Sequence, residues 1–186
     1  LTDSELATMS DSIKALSTEI PATTEEIAAV AEAAGQLGIQ KDALLDFTEI
    51  MTMLGTATNM TADEAATALA RFANITGMAT DNYGRLGSVN NFATTESEIV
   101  AMGTRLASAG KLAGLTEPEI MALAAAMSSV GIEAEAGGTA MTQTLNAIEK
   151  AVAKGGDDLA EFARIAGMSS EEFSSAWKND AMSALT

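Results

Sequence analysis

Cysteine and histidine are both missing from this chain of 186 residues, and their absence excludes several kinds of chemistry. Without cysteine there is no disulfide framework and no thiolate nucleophile. Without histidine the chain lacks the commonest general base and the commonest metal ligand at neutral pH. A Ser–His–Asp or Cys–His arrangement cannot form. We therefore predict that the chain is not an enzyme and has no catalytic, cofactor-binding or metal-binding residues.

Aromatic residues and proline are also scarce, at 4% of the chain and two residues respectively. Strands favour aromatic and β-branched side chains, whereas alanine, which is abundant here, has the highest helix propensity. Hydrophobic residues make up 47% and charged residues 19% of the chain. These fractions are typical of a folded protein rather than a disordered one. The composition predicts an all-α fold with thin helix layers.

Positive charge is scarce too, since ten Lys and Arg stand against 26 Asp and Glu and give a net charge of -16. An acidic chain repels phosphate backbones and anionic membrane surfaces. We therefore expect no direct nucleic-acid binding and no membrane contact by this segment. The longest apolar run, 120–127, is far shorter than the roughly 20 residues of a membrane span. There is no signal peptide and no initiator Met, and both ends look like cuts in a longer polypeptide.

Helix-start signals, in contrast, are abundant. In a capping box, Ser or Thr at the N-cap is followed three residues later by Glu, so that two otherwise unpaired backbone N–H groups are satisfied. We identify boxes of this kind at Thr23–Glu26, Thr61–Glu64, Thr95–Glu98, Thr116–Glu119 and Ser169–Glu172. Asp157, after two glycines, indicates a further helix start.

Apolar residues after these boxes follow helical spacing and place one apolar face on each helix. The two clearest faces are Ala65, Ala66, Leu69, Phe72 and Ala73, and Ile120, Leu123, Ala124, Met127 and Val130. Glycines stand where the runs stop, as C-cap glycines do: Gly38, Gly55, Gly77, Gly114, Gly131 and Gly167. We predict about ten short amphipathic helices, near 4–19, 22–36, 41–54, 61–76, 80–89, 95–112, 116–130, 137–153, 157–166 and 169–182.

The glycines also indicate an internal duplication of a helical-hairpin unit, with an offset of about 76 residues. This offset aligns Gly38 with Gly114 and Gly55 with Gly131, together with apolar residues beside them. Duplication predicts a first repeat half over 22–90, a second over 91–166 and the start of a third, truncated unit over 167–186. Unrelated helical hairpins would give a similar pattern, and this alternative stays open.

Adjacent carboxylates are candidates for acid–base chemistry. Three such pairs are Glu25/Glu26, Asp157/Asp158 and Glu171/Glu172. All three pairs lie at predicted helix starts, where the helix dipole favours negative charge. We therefore interpret them as structural. A carboxylate-only enzyme would instead need Asp or Glu from different helices to converge in a pocket with raised pKa values.

Three other features have structural interpretations. The acidic residues Asp42, Asp46 and Glu49 share a helix face that we expect to be solvated, because no Ca²⁺-loop pattern surrounds them. The glycine pairs at 137–138 and 155–156 are interpreted as turns, since neither fits phosphate-loop spacing. Trp177 is expected to pack against sequence outside this chain.

Four stretches together carry a family resemblance. They are 34–39 (AGQLGI), 61–74 (TADEAATALARFAN), 109–115 (AGKLAGL) and 129–140 (SVGIEAEAGGTA). The last is the most specific, because generic helical proteins rarely carry its pattern. Over roughly residues 16–186 the chain resembles the conserved core region of phage tail tape measure proteins. One departure is that Val89 joins Asn90 directly, where similar sequences continue the preceding helix. The join indicates either a deletion in this protein or, as we prefer, a mobile segment that this sequence omits.

The resemblance implies a structural role in a phage or prophage tail. A tape measure protein lies in the tail lumen, sets tail length by its own length, and leaves ahead of the DNA at infection. Its partners are tail assembly chaperones, the tail tube protein and tail-tip or distal tail proteins, with self-association of the full-length parent. It is found in the virion tail and, during assembly, in the host cytoplasm. The alternative is a helical protein-protein interaction or adaptor domain unrelated to phage.

Overall fold

The computed structural model describes residues 2–78, 82 and 96–185, and these residues form an all-α fold. The helices are α1 (Asp3–Glu19), α2 (Thr24–Gln36), α3 (Lys41–Ala57), α4 (Ala62–Thr76), α5 (Glu96–Leu112), α6 (Glu117–Ser129), α7 (Ala134–Lys154), α8 (Asp157–Ile165), α9 (Ser170–Asn179) and α10 (Ala181–Leu185). Nine of them match predicted helices. The predicted helix at 80–89, the Thr95–Glu98 box and the Val89–Asn90 join lie outside the described residues.

Capping boxes start the helices at the predicted places. The backbone N–H groups of Glu26, Glu64 and Glu172 each donate to the N-cap hydroxyl three residues earlier, at 3.2 Å. At Thr116 the Glu119 carboxylate accepts from both the backbone N–H and the hydroxyl, each at 2.7 Å. The sequence analysis missed one box, in which Thr2 caps α1 and Glu5 bonds back to its N–H.

Most of the predicted C-cap glycines also end helices. Gly38, Gly77, Gly114, Gly131 and Gly167 all have positive φ angles, which side chains with a Cβ rarely adopt. The backbone N–H of the residue after each glycine donates back into the last turn of the helix, as from Leu115 to the Gly110 carbonyl at 2.9 Å. These turns keep the helices short.

Gly55 is an exception, because it lies inside α3 rather than at its end. A Cβ added there would lie 2.6 Å from the Ala62 backbone nitrogen, at the start of α4. The prediction of a C-cap at Gly55 is therefore wrong. This glycine is needed for a close approach between two helices, whereas Gly131, with which it aligns in the proposed repeat, has a φ of 78° and ends a helix.

Gly137 and Gly138 are also helical, and their interpretation as a turn is wrong. Helix α7 begins at Ala134, so both glycines lie in its first two turns and both are buried. A Cβ at Gly137 would meet the Ile132 Cγ2 at 2.2 Å, and one at Gly138 would meet the Arg105 Cβ at 2.9 Å. Close packing outweighs the low helix propensity of glycine here. Gly155 and Gly156 do form the predicted turn, between α7 and α8.

The chain divides into two compact units, Leu1–Val100 and Ala101–Thr186. In the first, α2, α3 and α4 pack on one another and α1 packs on α2. Its core holds Phe47, Met51 and Phe72, all fully buried, surrounded by alanines such as Ala65 and Ala66. The alanines remove little area from water but let the helix axes approach closely.

In the second unit, small residues again set the helix spacing. A Cβ at Gly110 of α5 would lie 2.7 Å from the Ile120 side chain of α6. Helices α8 and α9 pack together through stacked Phe162 and Phe173, whose ring centroids are 6.4 Å apart. The predicted last helix, 169–182, is interrupted at Asp180, which separates α9 from α10.

Trp177 packs inside the second unit, so the expectation that it packs against outside sequence is wrong. Its side chain is buried and stacks on Phe173, with ring centroids 6.3 Å apart. The indole N–H donates to the Glu149 carboxylate of α7 at 2.8 Å. A buried indole needs such an acceptor, and one residue thereby joins α9 to α7.

Candidate interaction surface

Carboxylates dominate the surface, but they do not converge. The described residues contain no group of three or more Asp and Glu that could hold a metal ion. Asp42 and Asp46 are exposed and Glu49 is half-buried, which agrees with the solvated face that we expected. No helix within 2–78 or 96–185 is long and apolar enough to cross a membrane.

The capping carboxylates of Glu26, Glu64 and Glu172 are stabilised in their charged form. The Thr23 N–H, with its hydroxyl, lowers the pKa of Glu26, and Thr61 and Ser169 lower those of Glu64 and Glu172 in the same way. A general acid at neutral pH needs a raised pKa instead. Capping therefore explains these carboxylates, and it opposes a role as proton donors.

The same bonds predict how stability depends on pH. Consider a carboxyl whose pKa is lower in the folded chain than in the unfolded chain. It stabilises the fold when the pH is above its pKa in the unfolded chain, and this contribution is lost as the pH falls through its pKa in the folded chain. For Glu64 the loss of stability begins below pH 4.5, which is the ordinary pKa of a glutamate carboxyl. For Glu5, where the Lys41 ammonium and then the Thr2 N–H lower the pKa, it continues to about 2.

Glu64→Gln should therefore lose less thermal stability than the wild type between about pH 5 and about pH 3, because glutamine can cap the helix without titrating. Melting temperatures from circular dichroism would measure the difference. Relief of repulsion among the remaining carboxylates is common to both proteins and cancels in the comparison. Equal losses in the two proteins would contradict the capping role of Glu64.

Large apolar side chains are exposed mainly where helices end. Ile75, Leu112, Val130 and Ile165 are 46%, 66%, 73% and 68% exposed, and each stands one or two residues before a glycine with positive φ. Val130 was predicted on the buried face of its helix. The helix ends at Ser129, so Val130 leaves the helical path and points to solvent. The spacing of apolar residues did not predict that Val130 is exposed, because spacing does not show at which residue the helix ends.

An open groove of about 460 Å³ lies between α8 and α9. It is lined by Leu159, Ser170, Glu171, Ser174, Ser175 and Lys178. Its polar side chains are exposed or half-buried and all lie on α9, from Ser170 to Lys178. The groove therefore offers a surface for contact rather than an enclosed reaction site.

Comparison with known proteins identifies the family. The family model described as "Phage-related minor tail protein" matches residues 10–186, which is nearly the whole chain. No curated protein matches the chain, and no solved structure matches it. The match covers both compact units and the four stretches that carry the resemblance. The chain belongs to the family of phage-related minor tail proteins, which are structural components of phage tails.

Proposed function

We propose that this chain is a helical segment of a tail tape measure protein, whose full length sets the length of the tail inside the tail tube and which is released at DNA ejection. The observation that carries the proposal is the family match over residues 10–186. The stretch at 129–140 supports it further, because two of its three glycines, Gly137 and Gly138, are buried in close helix contacts. The match argues against the alternative interpretation, an adaptor domain unrelated to phage, because the matched family is a phage family.

Short helices limit how this segment contributes to a ruler. A continuous helix rises about 1.5 Å per residue, but the helices within 2–78 and 96–185 end after at most 21 residues, in α7. Each described unit is therefore compact, and we place the rod-like measuring stretches elsewhere in the full-length protein. Repeat halves at 22–90 and 91–166 remain part of this proposal, as units that would stack in series.

Tail length tests the ruler directly. Inserting a helical segment of about 70 residues into the full-length protein, outside this chain, should lengthen tails by about 100 Å, at about 1.5 Å per residue. Electron micrographs of tails from the altered phage would measure the change. An equal-length replacement of native sequence is the control and should leave tail length unchanged. Normal-length tails from the insertion phage would overturn the ruler function while leaving the tail family intact.

The partners in this proposal are other tail proteins: the assembly chaperones and the tube subunits, met in the host cytoplasm, and the tail-tip proteins. Self-association of the full-length protein would bring several copies into one tail lumen. Reconstitution of the full-length protein with tube subunits, followed by electron microscopy of the tubes, would test this. Tubes that reach a uniform length without the protein would contradict it.

Acidity has a separate consequence for DNA. The net charge of -16 should keep this segment from adhering to DNA that passes through the same channel. We expect that adding this protein at moderate salt leaves the fluorescence anisotropy of labelled duplex DNA unchanged, so that any Kd for DNA is roughly millimolar or weaker. Binding at moderate salt with a steep salt dependence would contradict the hypothesis.

A further inference from the structure

We propose that the uncovered face of α6 is a docking surface for an amphipathic helix of another protein, one whose apolar face is flanked by lysine or arginine. The surface consists of Ala122, Leu123, Ala126, Met127 and Val130, which we call the α6 stripe. This inference goes beyond the proposed function, because it holds whatever the role of the chain in the tail.

The first observation is that α6 is apolar on all sides but covered on only one. From Ile120 to Val130 it carries no charged residue, and a helix of this kind is normally enclosed all round. Ile120, Met121, Ala124 and Ala125 face the core and are at most 3% exposed. On the opposite face, none of the residues within 2–78 and 96–185 encloses Ala122 and Ala126, which are exposed.

The second observation is the geometry of that opposite face. Ala122 and Ala126 are exposed and lie one turn apart on the same line along the helix. Val130, the C-cap residue, is exposed just past the end of this line. Leu123 and Met127 are half-buried beside them. Small residues one turn apart with larger side chains beside them are a pattern into which the ridge of a second helix can pack closely.

Charge selects the kind of helix that fits. Glu117 and Glu119 lie before the stripe and Glu133 and Glu135 lie after it, and the sequence has no Lys or Arg between Lys111 and Lys150. Only Glu117 has a described basic neighbour, with the Lys111 ammonium at 3.5 Å. A basic partner would therefore gain attraction at both ends of the stripe.

A second copy of this chain fits less well. Packed antiparallel on the stripe, it would bring Glu117 and Glu119 of one copy against Glu133 and Glu135 of the other. Packed parallel, it would oppose each carboxylate with its own equivalent. Both arrangements place like charges together, which opposes association.

The test uses the whole chain with methionine methyl groups labelled for NMR. The probe is a synthetic helical peptide with Ala and Leu on one face and Lys around it, and its twin carries Glu in place of Lys. We expect the Lys peptide to shift the Met127 methyl signal but not that of Met51, which is fully buried in the first unit. The Glu twin should bind at least about tenfold more weakly.

Matched substitutions separate the stripe from general acidity. Val130→Lys and Ala126→Lys should each weaken binding of the Lys peptide at least about tenfold, while Ile165→Lys should leave it within about twofold. Val130 and Ile165 are a close pair, being 73% and 68% exposed at helix ends before a glycine. Both substitutions add one positive charge.

Several results would overturn the proposal. Equal weakening by Ile165→Lys would show that only overall charge matters. If the Met127 methyl signal did not shift, the α6 stripe would not be the binding surface. If the two peptides bound equally well, the stripe would have no preference for basic partners. If the free chain dimerised with rising concentration and Ala126→Lys made it monomeric, the stripe would be a self-association surface instead.

Discussion

Phe47→Ala is expected to destabilise the first unit by about 3–5 kcal/mol, the range for removing a fully buried aromatic side chain and leaving a cavity. Phe47 lies on α3 and is fully buried. The alanine-rich surroundings worsen the loss, because short side chains cannot move in to fill the space. Urea unfolding followed by circular dichroism would measure it, as a lower midpoint at unchanged slope.

Met53→Ala, on the same helix, is the matched control. Met53 is 52% exposed, so its removal should change the free energy of unfolding by no more than about 0.5 kcal/mol. If the two substitutions had similar effects, Phe47 would not lie in the core of the first unit. The described packing of α3 would then be wrong.

Gly55→Ala should destabilise the protein even though alanine is the better helix former. The added Cβ would lie 2.6 Å from the Ala62 nitrogen and 2.8 Å from its Cα, both backbone atoms that cannot rotate away. Overpacking of this kind costs about 1–3 kcal/mol, against a gain in helix propensity of at most about 1 kcal/mol. Separation of α3 from α4 would relieve the clash at the expense of their contact.

Gly35→Ala is expected to act in the opposite direction. Gly35 is also helical, near the end of α2, and nothing lies within 4 Å of the position its Cβ would take. Alanine should therefore stabilise the protein by about 0.5 kcal/mol through helix propensity alone. Thermal melts of the two variants side by side would test both signs. Stabilisation by Gly55→Ala would contradict the close approach of α3 and α4.

Helix starts were the most predictable part of this protein. A capping box is formed by residues three apart in the chain, so its bonds need no distant partner, and Thr23, Thr61, Thr116 and Ser169 all begin helices where predicted. Most glycine stops were predictable for the same reason, because a left-handed φ is a local property. The apolar face after Thr61 was also predicted, and all five of its residues are buried.

Positions governed by a neighbouring helix were not predictable from local pattern. The helical Gly55, Gly137 and Gly138 have the same residue type as a C-cap glycine, but their role depends on a helix that packs against them. Trp177 was misjudged because its partner, Glu149, lies 28 residues away on α7. The interaction surface on α6 was not predictable either. The spacing of apolar residues indicates that α6 is apolar, but it does not indicate which face of α6 other helices cover.

The sequence by itself determined the all-α class, the acidic surface and most of the helix boundaries. Each of these follows from composition or from bonds within a few residues along the chain. Tertiary structure alone decided which glycines permit close helix contact, where Trp177 is buried, and that one face of α6 stays exposed. These properties depend on the distance between helices, which is set by packing of side chains far apart in sequence.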